Sequence, residues 1–182
     1  KDGNELAVLV DNSPNDFVYP QMADFTFYGG IYRDVNIISV NKEHFELDYY
    51  GTPAIMVTPE KEKDGKWEIE VQAFCEGEVR FSIFDADGNK IAEKTESGKN
   101  PEVEFEFDTV HLWDGLSDPY LYTAEAVLIA SGEEKDKVST RFGCRTFNID
   151  PEKGFFLNGR SYPLRGVSRH QDRPDIGNAL LP

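Results

Sequence analysis

The sequence predicts an all-β protein, an antiparallel β-sandwich of immunoglobulin type with incomplete segments on either side. Three observations lead there. Apolar and polar residues alternate with period two through most of the middle of the chain, the alternating stretches are short and separated by turn chemistry, and no segment keeps helical spacing for three turns. Seven or so such strands between about residues 41 and 148 make the sandwich the economical arrangement. The Cys-Trp-Cys spacing of antibody domains is missing.

The strands follow in chain order. Phe45–Tyr50 and Ala54–Thr58 come first, with the turn Gly51-Thr-Pro53 between them. Trp67, Ile69, Val71 and Ala73 alternate with Glu68, Glu70 and Gln72, after a turn at Lys63-Asp-Gly65. One face of that strand suits a core and the other suits water. Val79–Phe84 follows, then the turn Asp87-Gly-Asn89 and a break at Ser97-Gly98. Val103, Phe105 and Phe107 alternate with Glu104, Glu106 and Asp108. Tyr120–Ile129, a turn at Ser131-Gly132 and Val138–Phe147 complete the set. The expected core draws on Trp67, Ile69, Val71, Phe81, Ile83, Phe105, Phe107, Leu121, Ala126 and Leu128, with strict alternation setting the register.

The ends differ. Residues 1–40 hold two strand candidates, Leu6–Asp11 and Tyr32–Val40, around an aromatic and glycine-rich loop, Phe17–Gly30. Residues 149–182 hold apolar runs on both sides of Asn158-Gly159, a strong hairpin signal, and then a polar tail. Neither end has enough apolar material for a domain. A chain that opens without Met and closes at Leu181-Pro182 reads as part of something longer.

Composition excludes several classes. Among 182 residues, 19 Lys and Arg face 34 Asp and Glu, a net charge of −15 that repels nucleic acid and anionic membranes. The most apolar stretch, Ala124–Ala130, is far short of the ~20 residues of a membrane helix. Aromatic content of 13% argues against disorder. The first ten residues show no basic region followed by an apolar one, so no signal peptide is visible. Cys75 and Cys144 are too few for a disulfide framework or a Cys-based zinc site; lying in two separate strand-like segments, they read as two buried free thiols, with a bridge between sheets as the alternative.

Chemistry is sparse. Asp85-Ala-Asp87-Gly-Asn89 has Gly at the fourth position and strands on both sides, so it reads as a hairpin turn rather than a calcium loop. The carboxylates at Glu104, Glu106 and Asp108 read as the wet face of a sheet. His44 and His111 stand at strand edges, with nothing nearby to give them a nucleophile or a metal partner. His170 lies in a polar cluster, Arg165-Gly-Val-Ser-Arg-His-Gln-Asp-Arg173, after an apolar strand; composition fits equally a solvated loop and the kind of strand end where barrel enzymes build sites.

The stretch Gly154-Phe-Phe-Leu-Asn-Gly-Arg-Ser-Tyr-Pro-Leu-Arg-Gly-Val-Ser-Arg-His-Gln-Asp172 resembles the start of the catalytic barrel of glycoside hydrolase family 2. Its Ser-Arg-His form is closer to the β-galactosidases than to the β-glucuronidases or β-mannosidases. Asn4–Asn12 and Tyr28-Gly-Gly-Ile-Tyr-Arg-Asp-Val35 resemble the closing strands of that family's N-terminal jelly-roll. Leu112-Trp113, Pro119-Tyr-Leu-Tyr122 and Phe142-Gly-Cys-Arg145 resemble its middle sandwich. The matches fall in family order across nearly the whole chain.

The resemblance implies three parts: closing jelly-roll strands over 1–40, an immunoglobulin-like scaffold over 41–148, and the first barrel strands over 149–182. It implies a cytoplasmic, homo-oligomeric parent that hydrolyses terminal β-D-galactosides with retention, with β-glucuronidase as the alternative. A non-enzymatic, adhesin-type or carbohydrate-binding sandwich is the competing class; it leaves the His170 phrase unexplained. Asp24, in Gln21-Met-Ala-Asp24, matches the family aspartate that reaches the sugar and helps hold sodium. His170 matches the histidine that donates to a sugar hydroxyl. The catalytic carboxyl pair and the magnesium ligands belong to parts of the family beyond this sequence, so no catalytic residue is expected here.

Overall fold

The computed structural model describes residues 3, 5–17, 28–169 and 173–179. Its strands, in chain order, are β1 (Ile55–Lys61), β2 (Trp67–Ala73), β3 (Glu76–Phe84), β4 (Lys90–Lys99), β5 (Glu102–Phe107), β6 (Tyr122–Ala130), β7 (Glu133–Phe142), β8 (Phe147–Asp150), β9 (Gly154–Leu157) and β10 (Arg160–Ser161). No helix occurs among the described residues. All strand pairs are antiparallel. One sheet has the order β1-β2-β5, the second β4-β3-β6-β7, and a small third sheet β10-β9-β8. The fold is the expected all-β sandwich. The chain divides into two compact units, Ser39–Arg165 and the pair of end segments Lys1–Ile38 and Gly166–Pro182.

The alternation of β2 and β5 sets the first sheet. Trp67 pairs with Phe107, Ile69 with Phe105 and Val71 with Val103, so one face of the sheet is a block of apolar side chains. From the other sheet come Val79, Phe81 and Ile83 of β3 and Tyr122, Ala124, Ala126 and Leu128 of β6, all in the same buried cluster. Val71, Phe81 and Ile83 are wholly inaccessible, whereas Glu68 and Glu70 keep solvent contact. Pro59 sits in β1, an edge strand, where a missing N–H costs no ladder bond to a second neighbour. Two expected core members differ. Leu121 is only half-buried because Tyr122 takes the inward position, and Phe107 is half-buried at the open end of β5.

The outer face of the first sheet has a cost built into its register. Glu68 stands opposite Glu60 on one side and Glu106 on the other, and Glu70 stands opposite Glu104. Like charges directly across a ladder repel. Glu104 chiefly, with burial second, holds the Glu68 carboxyl above the ordinary range; burial first, then Glu102 and Glu104, does the same for Glu70. Lys66 is 3.7 Å from Asp108, and the Lys94 ammonium donates to the Glu104 carbonyl rather than to a carboxylate. A carboxyl that binds its proton more tightly folded than unfolded favours folding as pH falls towards the unfolded value of 4.5, with no further gain below it. The thermal midpoint should therefore rise on mild acidification or added salt, and Glu70→Gln should raise it at neutral pH. A Glu70→Gln midpoint equal to wild type at low salt would contradict the repulsion argument.

Several expected elements differ. Phe45–Tyr50 is not a strand: Phe45 is buried, but only Glu46 N–H reaches a strand-like partner, the Phe74 carbonyl at 2.9 Å. The chain then turns at Tyr50, whose φ of 50° breaks extension. Leu6–Asp11 and Tyr32–Val40 form no strands either; apolar side chains such as Leu9, at 95% exposure, meet no partner strand among the described residues. The Val138–Phe147 run is cut in two, β7 ending at Phe142 and β8 starting at Phe147. Ser97-Gly98 is no turn but lies inside β4, with Gly98 opposite Gly77; the reversal comes two residues later, at Asn100 (φ 51°). Ser131-Gly132 and Asn158-Gly159 are two-residue hairpin loops as expected, with positive φ at both positions of each.

Candidate functional site

Within the sandwich unit, the polar groups singled out from the sequence are structural. Asp85 Oδ1 accepts from Asp87 N–H at 3.0 Å and Asn89 N–H at 2.8 Å, and its Oδ2 accepts from the Asn89 amide at 3.0 Å. The turn consumes its own carboxylate, and those bonds, the Asn89 side chain's foremost, hold the Asp85 carboxyl below its usual range. His44 Nδ1 lies 2.7 Å from the Phe45 carbonyl oxygen. His111 has a partner that the sequence did not reveal: its Nε2 is 2.6 Å from Asp118 Oδ2, and its ring stacks on Tyr120 with centroids 3.9 Å apart. Cys75 and Cys144 are buried free thiols. Burial pushes the Cys144 thiol up to about 12; for Cys75 burial, then Asp136 and Glu46, pushes it up to about 11. Such thiols are packing groups at neutral pH.

Beyond β7 the chain is held by one loop of the sandwich. The backbone of Trp113 donates to the Cys144 carbonyl at 2.9 Å, and Leu112 bridges Cys144. Arg145 lies over the Trp113 ring, 5.1 Å from its centroid. Asp114 takes the Arg160 guanidinium and the Asn158 amide, and Arg160 first holds the Asp114 carboxyl below its ordinary range.

In the other unit, the described residues place one feature of interest. An open cleft of about 460 Å³ is lined by Tyr28, Arg173, Pro174, Asp175 and Gly177. Arg173 and Gly177 exchange backbone bonds, N–H to carbonyl at 3.2 and 2.9 Å, closing a tight turn. Gly177 has φ 55°, and a Cβ there would stand 2.8 Å from the Tyr28 ring, so the ring seats on glycine. An aromatic face beside an arginine and an aspartate can stack on and hydrogen-bond a polyhydroxylated ligand. Asp24 and His170 themselves lie outside the described residues, as do Phe25 and Phe27. The cleft is lined from the two sequence segments that follow them, at Tyr28 and from Arg173 onward. The sequence reading named neither Tyr28 nor Arg173 as site residues; the signal was their nearness to Asp24 and His170. No group of three or more His, Cys, Asp or Glu able to hold a metal occurs among the described residues.

The sequence profile of glycosyl hydrolases family 2 matches residues 53–145, about half of the chain and nearly the whole sandwich. The chain belongs to glycosyl hydrolase family 2. Among curated family members, it is 33% identical to a β-glucuronidase of Bacteroides fragilis, across 98% of this chain and 28% of that protein. It is 32% identical to a β-galactosidase of Bacteroides ovatus, across 97% of this chain and 21% of that protein. The crystal structure of an FMN-binding β-glucuronidase from Faecalibacterium prausnitzii L2-6 superposes with a TM-score of 0.83 at 42% identity, covering 93% of this chain and 27% of that one. The chain thus spans between about a fifth and a little over a quarter of the length of these family members. No helix among the described residues is long and apolar enough to cross a membrane.

Proposed function

We propose that the chain is the central, non-catalytic part of a retaining β-glycosidase of family 2, with the sandwich as scaffold and Asp24 and His170 as contacts to the sugar. The family match over residues 53–145 carries this reading. Retaining hydrolysis needs two carboxyl groups ~5–5.5 Å apart, one as acid/base and one as nucleophile. In this proposal both come from the parent's barrel, outside this chain. The cleft between Tyr28 and Arg173–Gly177 supports a shared site for the Asp24 and His170 segments.

The sugar is proposed to be a terminal β-D-glucuronide, on the strength of 42% identity to a protein titled a β-glucuronidase. The second reading, a β-D-galactoside, is favoured by the Ser168-Arg169-His170 phrase and by the 32% identical Bacteroides ovatus β-galactosidase. The two differ at carbon 6. A galactoside offers a hydroxyl there, which a carboxylate such as Asp24 accepts well. A glucuronide offers a carboxylate, and two carboxylates ~4 Å apart repel by about 4 kcal/mol at an effective dielectric of 20. Asp24 must then face a ring hydroxyl instead. As a hard oxygen donor Asp24 also suits sodium, while magnesium would be held by residues elsewhere in the parent.

The full-length parent should hydrolyse p-nitrophenyl β-D-glucuronide faster than the galactoside. The opposite preference selects the second reading, and turnover of neither removes both. This chain alone should turn over neither, because leaving-group protonation and the covalent route are both absent. Turnover that persists through repeated purification would place the chemistry here after all.

A further inference from the structure

Asn158-Gly159 is the only Asn-Gly pair in the sequence, and the turn between β9 and β10 leaves Gly159 exposed to water. In an unconstrained chain such a pair is chemically unstable. The Gly159 nitrogen, with no Cβ beside it to crowd the approach, can attack Cγ of the Asn158 amide. A bond forms between that nitrogen and Cγ, the Cγ–Nδ2 bond breaks, and ammonia leaves with the proton given up by the Gly159 N–H. Water then adds to the cyclic imide and opens it at either of its carbonyls. Opening at Cγ leaves aspartate, and opening at the backbone carbonyl leaves isoaspartate, whose main chain is longer by a methylene. Water is the only co-reactant.

The fold holds this amide still. Its Oδ1 accepts from Thr146 N–H at 3.0 Å, and its Nδ2 donates to the Trp113 carbonyl at 3.1 Å and to Asp114 Oδ1 at 3.2 Å. The Asn158 backbone N–H donates to the Thr146 carbonyl at 2.8 Å. The hairpin is thereby clamped to the loop 112–118 and to the connector 143–146 between β7 and β8, all within the sandwich unit. For the imide to form, Cγ must leave the plane that keeps Oδ1 on Thr146, and Nδ2 must give up both of its acceptors. Neither product can rebuild the clamp. A carboxylate only accepts, so the donations to Trp113 and Asp114 are lost. Its negative charge then stands opposite Asp114 Oδ1, where the amide was 3.2 Å away, and like charges at that separation repel. Arg160, which pairs with the other oxygen of Asp114, is left to serve two carboxylates. Isoaspartate also lengthens the short loop that sets the pairing of Leu157 with Arg160.

We propose that Asn158-Gly159 is a deamidation site protected by the very clamp it forms, and that the reaction, once complete, releases the β9–β10 hairpin from the loop 112–118 and the connector 143–146. It is a one-way latch. The chemistry proceeds only during transient openings of the hairpin, so the released form accumulates with the age of the molecule.

The test follows deamidation at Asn158 by peptide mapping and mass spectrometry in the full-length parent, aged in mildly alkaline buffer both natively and in guanidinium chloride. Expected is a rate about tenfold or more slower in the native protein, with aspartate and isoaspartate both formed. Asp114→Ala, which takes away one acceptor of Nδ2, should bring the native rate towards the unfolded one. In Asn158→Asp, hydrogen exchange should speed up at the Trp113 and Thr146 N–H groups while β2, β3 and β6 keep wild-type protection. A native rate equal to that in denaturant would overturn the proposal, as would no reaction in denaturant or an unchanged native rate in Asp114→Ala. Aspartate without isoaspartate would also overturn it, since that product marks direct hydrolysis of the amide rather than ring closure. Wild-type exchange at Trp113 and Thr146, or faster exchange throughout the sandwich, would overturn the release. If Asn158→Asp does not fold, aged wild-type protein, separated from fresh by its added negative charge, gives the same exchange comparison with the same overturning results.

Discussion

Asp24→Ala and His170→Ala, made in the full-length enzyme, are each expected to lower kcat/KM by two or more orders of magnitude, on the order of 3 kcal/mol or more. In the proposed function each removes a polar contact that holds the non-reducing sugar where the catalytic carboxyl pair needs it, and binding energy lost there is felt as rate. Folding should be almost unchanged, because in the proposed function both side chains face the sugar rather than a core. Asp24→Asn adds resolution. It keeps an acceptor and loses the charge, so it should blunt any response of activity to sodium while sparing a ring-hydroxyl contact. Near-normal turnover in both alanine variants would return these residues to the status of solvated loop.

Phe81→Ala should have the largest effect on stability, about 3–5 kcal/mol. Phe81 is wholly inaccessible at the middle of β3, with Lys94 of β4 and Ala126 of β6 as its ladder partners. The small side chains of Ala124 and Ala126 next to it have nothing with which to fill the cavity. A loss of that size takes away a large share of the ~5–15 kcal/mol available to a domain. Urea unfolding of the chain measures it directly. A cost below about 1 kcal/mol would mean that the two sheets close over the gap, and that Phe81 is not the centre of the core.

The core was legible because β2 and β5 each have one dry and one wet face, which writes a period of two into the sequence. β4 was not legible for the same reason reversed. It is an edge strand exposed along most of its length, so Lys90, Glu93, Lys94, Thr95 and Glu96 carry no hydrophobic period, and the Ser97-Gly98 pair imitates a turn. Leu6–Asp11 and Tyr32–Val40 err in the other direction. Their apolar character suits strands, but a strand exists only where a neighbour accepts its backbone bonds, and propensity cannot supply the neighbour. Asn158-Gly159 was readable as a turn, whereas the bond from its amide to Asp114 joins positions 44 residues apart and leaves no local trace. Asp24 and His170 were nominated by family resemblance, since a lone carboxylate and a lone imidazole on polar stretches have no periodic signature.

The two thiols offer a practical handle on all of this. Cys144 is wholly enclosed and Cys75 nearly so, and their raised ionisation keeps each in the unreactive, protonated form near neutrality. An alkylating reagent in native buffer can therefore reach them only through transient opening. Cys75 follows β2 and Cys144 follows β7, which lie in different sheets. The two labelling rates form a pair of internal clocks: equal rates mean that the sandwich opens as a whole, and a faster Cys144 means that the connector under the Asn158 turn lets go first.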